Sequence, residues 1–296
     1  MKVIHRLAGW NIKKVDADIG IEIEVEGRNL PRQEIFGKMW RVDTDASLRG
    51  ESYEYVTPPI KLNELQKYLN RLDEAYTTCD SEVTDSIRTG VHVHLNVQQL
   101  TLKQLYNLIT LYFILEDLLV GWCGPSREGN HFCLRSRDAE FIVFKLVESV
   151  RDFRVLDTDI IRYCSLNLYS LFKYGTIEFR SMRGTSDLSA IKDWVEILYS
   201  IHNAALTYHD PIDIIMSMSG SGEDSLLRSA LPQHHQLFTN IPNYQQLIRD
   251  GARRMQILAH ATDWSDFDTD EYRAEEIQID LDDLPIDPEF DEEIPE

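Results

Sequence analysis

Alternation of apolar and acidic residues is the first strong pattern along the chain. In GIEIEVEG, residues 20–27, Ile21, Ile23 and Val25 alternate with Glu22, Glu24 and Glu26, which predicts a strand with one apolar and one acidic face. KMWRVDTDASLRGESYEYVTPPI predicts two short strands about a turn at residues 43–50, ended by Pro58 and Pro59, which cannot donate to a ladder. Leu62, Leu65, Leu69, Leu72 and Tyr76 repeat at three- and four-residue steps, a helical stripe. TGVHVHLNV is again a strand, with His92 and His94 on one face and Val91, Val93 and Leu95 on the other. A long helix follows from Thr101, a suitable N-cap, to about residue 120. The polar loop CGPSREGNHFCLRSRD is expected to lie outside the core, and residues 138–150 read as a helix. RYCSLNLYSLFKYGTIEFRSMRGT reads as two strands turning at residues 173–175. Residues 187–206 form an amphipathic helix capped by Asp187, the pattern weakens over 209–240, and residues 244–261 close the body with one more helix. About six strands, joined partly by hairpins and partly by helices, predict an α+β fold with an antiparallel sheet and helices on one face. Residues 1–260 show no linker and read as a single domain.

Composition adds two constraints. The chain has 296 residues, 43% hydrophobic, enough for a substantial core. Its net charge of −20 is concentrated at one end: residues 261–296 hold 16 acids and one arginine, leaving 34 acids against 29 bases in 1–260. This stretch contains three prolines and no helical period, so it is expected to be a disordered, solubilising tail, or a segment that contacts a protein partner. The most apolar run, from Leu105, contains Glu116 and Asp117, and the first residues do not resemble a signal peptide, so no membrane association and a cytoplasmic location are expected. Cys79, Cys123, Cys133 and Cys164 are too sparse for a disulfide framework and lack CxxC spacing, which argues against zinc.

The chemistry lies on the polar faces of the strands. Glu22, Glu24 and Glu26, then Asp43, Asp45 and Glu54, then His92 and His94, then Glu178 and Arg180 with Arg183 just beyond, would converge if their strands share a sheet. Carboxylates with an imidazole suit a hard cation, Mg²⁺ or Mn²⁺, and arginines suit phosphate oxygens. Together they describe a nucleoside triphosphate site. No GxxxxGK[ST], GxGxxG or serine nucleophile elbow is present, so ATP would bind through a sheet-borne metal cluster.

The ordered set GIEIEVEG, DTDASLRGESYEYVTPPI, TGVHVHLNV, PSREGNHFC and RYCSLNLYSLFKYGTIEFRSMRGT resembles the amidoligase family of bacteria and their phages, over roughly residues 18–210. The resemblance implies a curved antiparallel sheet like the catalytic core of glutamine synthetase and glutamate–cysteine ligase. It implies Glu22, Glu24, Asp45, Glu54 and Glu178 as metal ligands, with Glu26 extending the pattern. One of His92 and His94 would stand at metal or ATP phosphate, and Arg180 would contact the transferred phosphate. Arg127, Asn130, Arg162 and Asn167 would line the substrate side, Arg127 and Asn167 also reaching the nucleotide. Tyr55 stands where an aliphatic residue is more usual in the family.

The activity so implied is ATP- and Mg²⁺-dependent amide formation between a small-molecule, amino-acid or peptide carboxylate and an amine, through an acyl phosphate. Two other classes compete: a non-catalytic acidic binding protein that mimics nucleic acid, and a metal-dependent phosphotransferase or nucleotidyltransferase. Nucleic acid itself is not an expected partner.

Overall fold

The period-two segments become the strands of one sheet. The computed structural model describes residues 1–84 and 86–268. Seven strands form an open antiparallel sheet: β1 (Ile19–Arg28), β2 (Arg41–Asp43), β3 (Glu51–Val56), β4 (Glu82–Thr84), β5 (Gly90–Asn96), β6 (Leu166–Asn167) and β7 (Thr176–Arg183). Their spatial order is β2-β3-β1-β5-β7-β6, with β4 pairing the far end of β1. That order sets β1 and β5, the glutamate and histidine strands, side by side at the centre, with β3 and β7 flanking them.

Alternation then decides which face is dry. Ile19, Ile21, Ile23, Val25, Val91, Val93, Leu95, Ile177 and Phe179 are all buried, beneath the helices Leu102–Cys123 and Leu188–Ala205. Thr101 caps the first of these, its hydroxyl accepting from Gln104 N at 3.1 Å, and Asp187 caps the second. The helix Leu102–Cys123 is apolar and long enough to cross a membrane, yet 89% of its apolar window is buried inside the molecule.

Four expectations change. The stretch expected as two strands turning at 173–175 has only two residues of strand, β6, followed by the helix Ser170–Tyr174 that Gly175 ends in a left-handed conformation, φ 69°. The loop expected outside the core is partly inside it: Arg127, Cys133, Arg135 and Ser136 are buried. Arg135 and Ser136 are drawn in because Glu116 and Asp117, set in an otherwise apolar helix, need partners, and Ser136, Arg135 and Arg137 supply them. Residues 209–240, weakly patterned in sequence, contain the helix Pro211–Ala230, whose period is interrupted at Gly222, φ 78° and ψ 177°. Finally, the first part of the expected acidic tail packs on the body: Trp264 and Phe267 are buried against Tyr106, and Asp268 pairs with Lys103 at 2.6 Å. The remainder of that tail lies outside the described residues.

The helix Tyr244–Ala259 crosses the central helix at Gly251, where an added Cβ would stand 2.3 Å from the Ile114 carbonyl oxygen. Backbone cannot move aside as a side chain can. Gly251→Ala should therefore cost about 3 kcal/mol of stability, read as a lower urea midpoint; an unchanged midpoint would show that the two helices do not meet this closely.

Candidate active site

Register lines the polar residues up across six strands. Glu24 pairs with Glu54, and Glu54 with Asp43; Glu22 pairs with His92; His94 pairs with Glu178, and Glu178 with Asn167. Paired side chains on one face lie close enough to interact, so the alternation read in each strand becomes a single continuous row.

At the centre, Glu22 Oε2 lies 3.3 Å from His92 Nδ1 and Glu22 Oε1 lies 3.3 Å from His94 Nε2. Glu178 Oε1 is 3.5 Å from His92 Nδ1, and Glu24 Oε1 is 3.8 Å from His92 Nε2. Arg180 Nη1 donates to Glu178 Oε1 and lies 3.4 Å from His92 Nδ1; Asn167 Nδ2 donates to Glu178 Oε2 at 2.6 Å. His94 Nδ1 is fixed by Thr176 Oγ1 at 3.0 Å, and the Tyr174 ring meets the imidazole edge-on.

Charge is unevenly balanced along this row. Burial works against ionisation of Glu22, but hydrogen bonds to His92 and His94 outweigh it and hold its carboxyl well below the usual range. Glu178, buried more deeply, is likewise held down by Arg180 and the two imidazoles, while Glu178 in turn raises Arg180 against the effect of burial. His94, whose burial favours the neutral ring, is raised overall by Glu22 and Glu178. On the β3 side Arg41 pairs with Asp43 at 2.6 Å, but among the described residues no cation pairs with Glu54. Burial first, then Glu22, Glu24, Asp45 and Asp43, push the Glu54 carboxyl up to about 8.

That imbalance is what a bound cation would correct. Two overlapping donor groups, Glu22 with His94 and Glu178, and Glu22 with Glu54 and His92, each bring one ligand atom per residue within 4.8 Å of the others. His94 Nε2 is buried and faces Glu22 Oε1 at 3.3 Å and Glu178 Oε2 at 4.0 Å, so it is aimed into the first of these groups. Carboxylate oxygens with one imidazole nitrogen fit Mg²⁺ or Mn²⁺, and Glu22 belongs to both groups.

The other candidates are placed differently. Glu26 is held by Arg88 through two bonds of 3.0 Å and accepts from Arg49 N at 2.7 Å; these contacts lower its carboxyl and occupy it, and neither it nor Glu24 belongs to either donor group. Asp45 accepts from Ser47 N at 2.6 Å, shaping the β2–β3 turn while its charge acts on Glu54. Arg127, buried, donates to the carbonyls of Thr89, Arg180 and Ser181. A Cβ on Gly90 would stand within 3.4 Å of Arg127 Nη2, His92 Nε2 and Glu24 Oε2, so Arg127 underlies the acidic end of the row. Asn130 donates to the carbonyls of Ile87 and Ser126, a loop-shaping role. Arg162 is exposed and stacks over Tyr163, and Arg183 Nη1 donates to the Cys123 carbonyl at 2.9 Å. Neither reaches the central cluster through these contacts.

Beyond Glu22 and His94 the row opens into a cleft of about 330 Å³ lined in part by Val15, Pro59 and Tyr174, with Lys13, Arg41 and Lys173 among its walls. Sequence reading missed these residues and Thr176. Thr176 carried a signal, two positions before Glu178 on the same face; Lys13 and Lys173 had none, because the fold alone brings them together.

The family model described as "Putative amidoligase enzyme" matches residues 37–202, more than half of the chain. The matched stretch holds Asp45, Glu54, His92, His94, Glu178 and Arg180, and β1 with Glu22 and Glu24 joins them through its pairing to β3 and β5. No curated protein matches the chain. On the extent of the family match, the chain belongs to the amidoligase family.

Proposed function

We propose that this chain is an ATP- and Mg²⁺-dependent carboxylate–amine ligase whose centre is the Glu22, Glu24, Glu54, His92, His94, Glu178 and Arg180 row. The observation that supports it most is the pair of donor groups sharing Glu22, with the Arg180 guanidinium set against Glu178 at their edge.

A carboxylate cannot be displaced by an amine until one of its oxygens is made a leaving group. Transfer of a phosphoryl group from ATP does this, giving an acyl phosphate that the amine attacks with release of phosphate. Glu22, Glu24, Glu54 and Glu178 with one imidazole would hold Mg²⁺, which when bound would supply positive charge to neutralise the triphosphate. Arg180, fixed by Glu178 and by the Phe132 carbonyl at 3.3 Å, points its remaining N–H groups at developing phosphoryl charge. The 330 Å³ cleft suits the nucleotide, with apolar walls for a base and Lys13 and Lys173 for phosphate. The test uses purified protein with ATP, Mg²⁺ and a panel of amino acids, polyamines and peptides. Phosphate should appear only when donor and acceptor are both present; pyrophosphate as product, or release indifferent to both substrates, would sink the proposal.

Glu54 provides a second check. Its carboxyl titrates near 8 in the metal-free protein, against 4.5 for an ordinary glutamate. Metal binding requires the ionised form, so adding Mn²⁺ at pH 7 in weak buffer should release about one proton from Glu54, beside any given up by the raised His94 ring, and Glu54→Gln should release about one proton fewer than wild type. A folded-state value raised in this way stabilises below the ordinary range and loses that contribution as pH rises toward 8. The metal-free protein should therefore melt lower at pH 8 than at pH 6, and Glu54→Gln should flatten the difference. Wild-type protein that binds Mn²⁺ without proton release would remove Glu54 from the ligand set.

A further inference from the structure

Arg180 sits on a local irregularity of its strand. Val93 pairs with Phe179 and Val91 with Met182, so two residues of β7, Arg180 and Ser181, oppose the single residue His92. Such a bulge re-aims a side chain, but it gives up ladder bonds and must be held by partners outside the pair. Those partners are present. Arg180 N donates to Ser165 O at 2.8 Å, Arg180 O accepts from Arg127 Nη2 at 2.6 Å, and Arg180 Nε donates to Phe132 O.

Both of the segments that hold Arg180, residues 132–136 and 163–166, converge on one buried carboxylate. Glu116, on the central helix with no exposed surface, accepts from Ser136 N at 2.8 Å, from Ser136 Oγ and from Ser165 Oγ. The two segments also bond each other, Ser165 N to Leu134 O and Leu134 N to Tyr163 O, each at 2.8 Å. One turn earlier on the same helix, Tyr112 hydrogen-bonds Ser181 Oγ at 2.9 Å. A carboxylate at this depth is costly, since burial lifts it to about 7 despite three donors, and an apolar residue would suit the helix better. Nothing about packing alone calls for an acid here.

We infer that Glu116 is the positioning residue for Arg180: from the far side of the sheet it ties together the two segments that fix the main chain and the guanidinium of that arginine. The kinetic part of this inference rests on the ligase reading. Its structural part does not.

The test compares Glu116→Leu, which removes all three bonds, with Glu116→Gln, which can keep them with one serine hydroxyl reversed, both in the full-length chain. The Arg180 Nε–H NMR resonance, assigned with Arg180→Lys, should lose its exchange protection in Glu116→Leu and keep it in Glu116→Gln. In the same variant kcat should fall about 10²-fold, the scale of a small misplacement of a catalytic group, with KM for ATP within about threefold. In an Arg180→Lys background, Glu116→Leu should add less than about a threefold further loss, because residues acting as one unit are not additive. If Glu116→Leu does not fold, Ser165→Ala, which deletes one of the three donors, should show the same loss of protection in weaker form. A folded Glu116→Leu or Ser165→Ala protein with wild-type protection at Arg180 overturns the inference. Loss of protection in a chain whose wild type releases no phosphate would support it and overturn the ligase reading alone.

Discussion

Glu22→Gln is expected to weaken Mn²⁺ binding by more than the roughly 10–100-fold that loss of an outer partner of a metal ligand costs, and to remove ATP-dependent phosphate release with it. Glu22 alone belongs to both donor groups, its two oxygens facing different imidazoles at 3.3 Å. Glutamine keeps the shape of the side chain but turns one oxygen into an N–H₂ donor, which cannot ligate a cation and presents positive hydrogens to it. It also removes one negative charge from a cluster whose excess of charge is the attraction for metal. Glu26→Gln on the same strand is the control. Glu26 is already occupied by Arg88 and by Arg49 N, so its replacement should leave Mn²⁺ affinity near wild type. Calorimetric titration of both variants decides the matter. If Glu22→Gln binds as the wild type does, or Glu26→Gln loses as much, the ligand set has been drawn on the wrong residues.

That contrast also marks how far the sequence could be read. Three glutamates at period two are equivalent in sequence, and alternation correctly places all three on one face of β1. What separates Glu26 from the others is Arg88, 62 residues away, brought beside it by the fold. The row itself was legible because each strand announces its polar face and antiparallel pairing leaves few registers that bury the apolar one. The flanking structure was less so. Arg127 sits among glycine, proline and serine and reads as a solvated loop residue; its burial follows from three backbone carbonyls contributed by Thr89, Arg180 and Ser181. β6 is two residues long, too short for any period, and Asn167 reaches Glu178 only because that fragment pairs with β7. Glu116 did leave a trace, an acid in an apolar helix, but its partners lie 20 and 49 residues on, beyond any local pattern.

The helices were read on the same footing. The central helix was placed by its apolar stripe and its threonine cap, both local signals. The helix Pro211–Ala230 escaped because Gly222 breaks the period midway, so neither half repeats long enough to stand out, although Asp210 with proline behind it is a sound start signal.

Arg180→Ala is expected to give the opposite signature from Glu22→Gln: catalysis lost and metal retained. The guanidinium balances Glu178 and lies 3.4 Å from His92, so its removal makes the cluster more negative by one charge and should leave Mn²⁺ affinity equal or higher. Asn167 still holds the other oxygen of Glu178 at 2.6 Å, which keeps that ligand aimed. What disappears is the cation directed at developing phosphoryl charge, a contribution of roughly 10³-fold or more where an arginine has supplied it. Arg180→Lys should recover only part of this, because an ammonium has three donors on one atom, and bonding Glu178 and the Phe132 carbonyl would leave at most one for phosphate where the planar guanidinium keeps several. Mn²⁺ titration and phosphate release on the same preparations separate the two roles. If Arg180→Ala loses metal as completely as Glu22→Gln, the arginine is there to hold the cluster together; if it keeps its rate, the phosphoryl group is met by another residue.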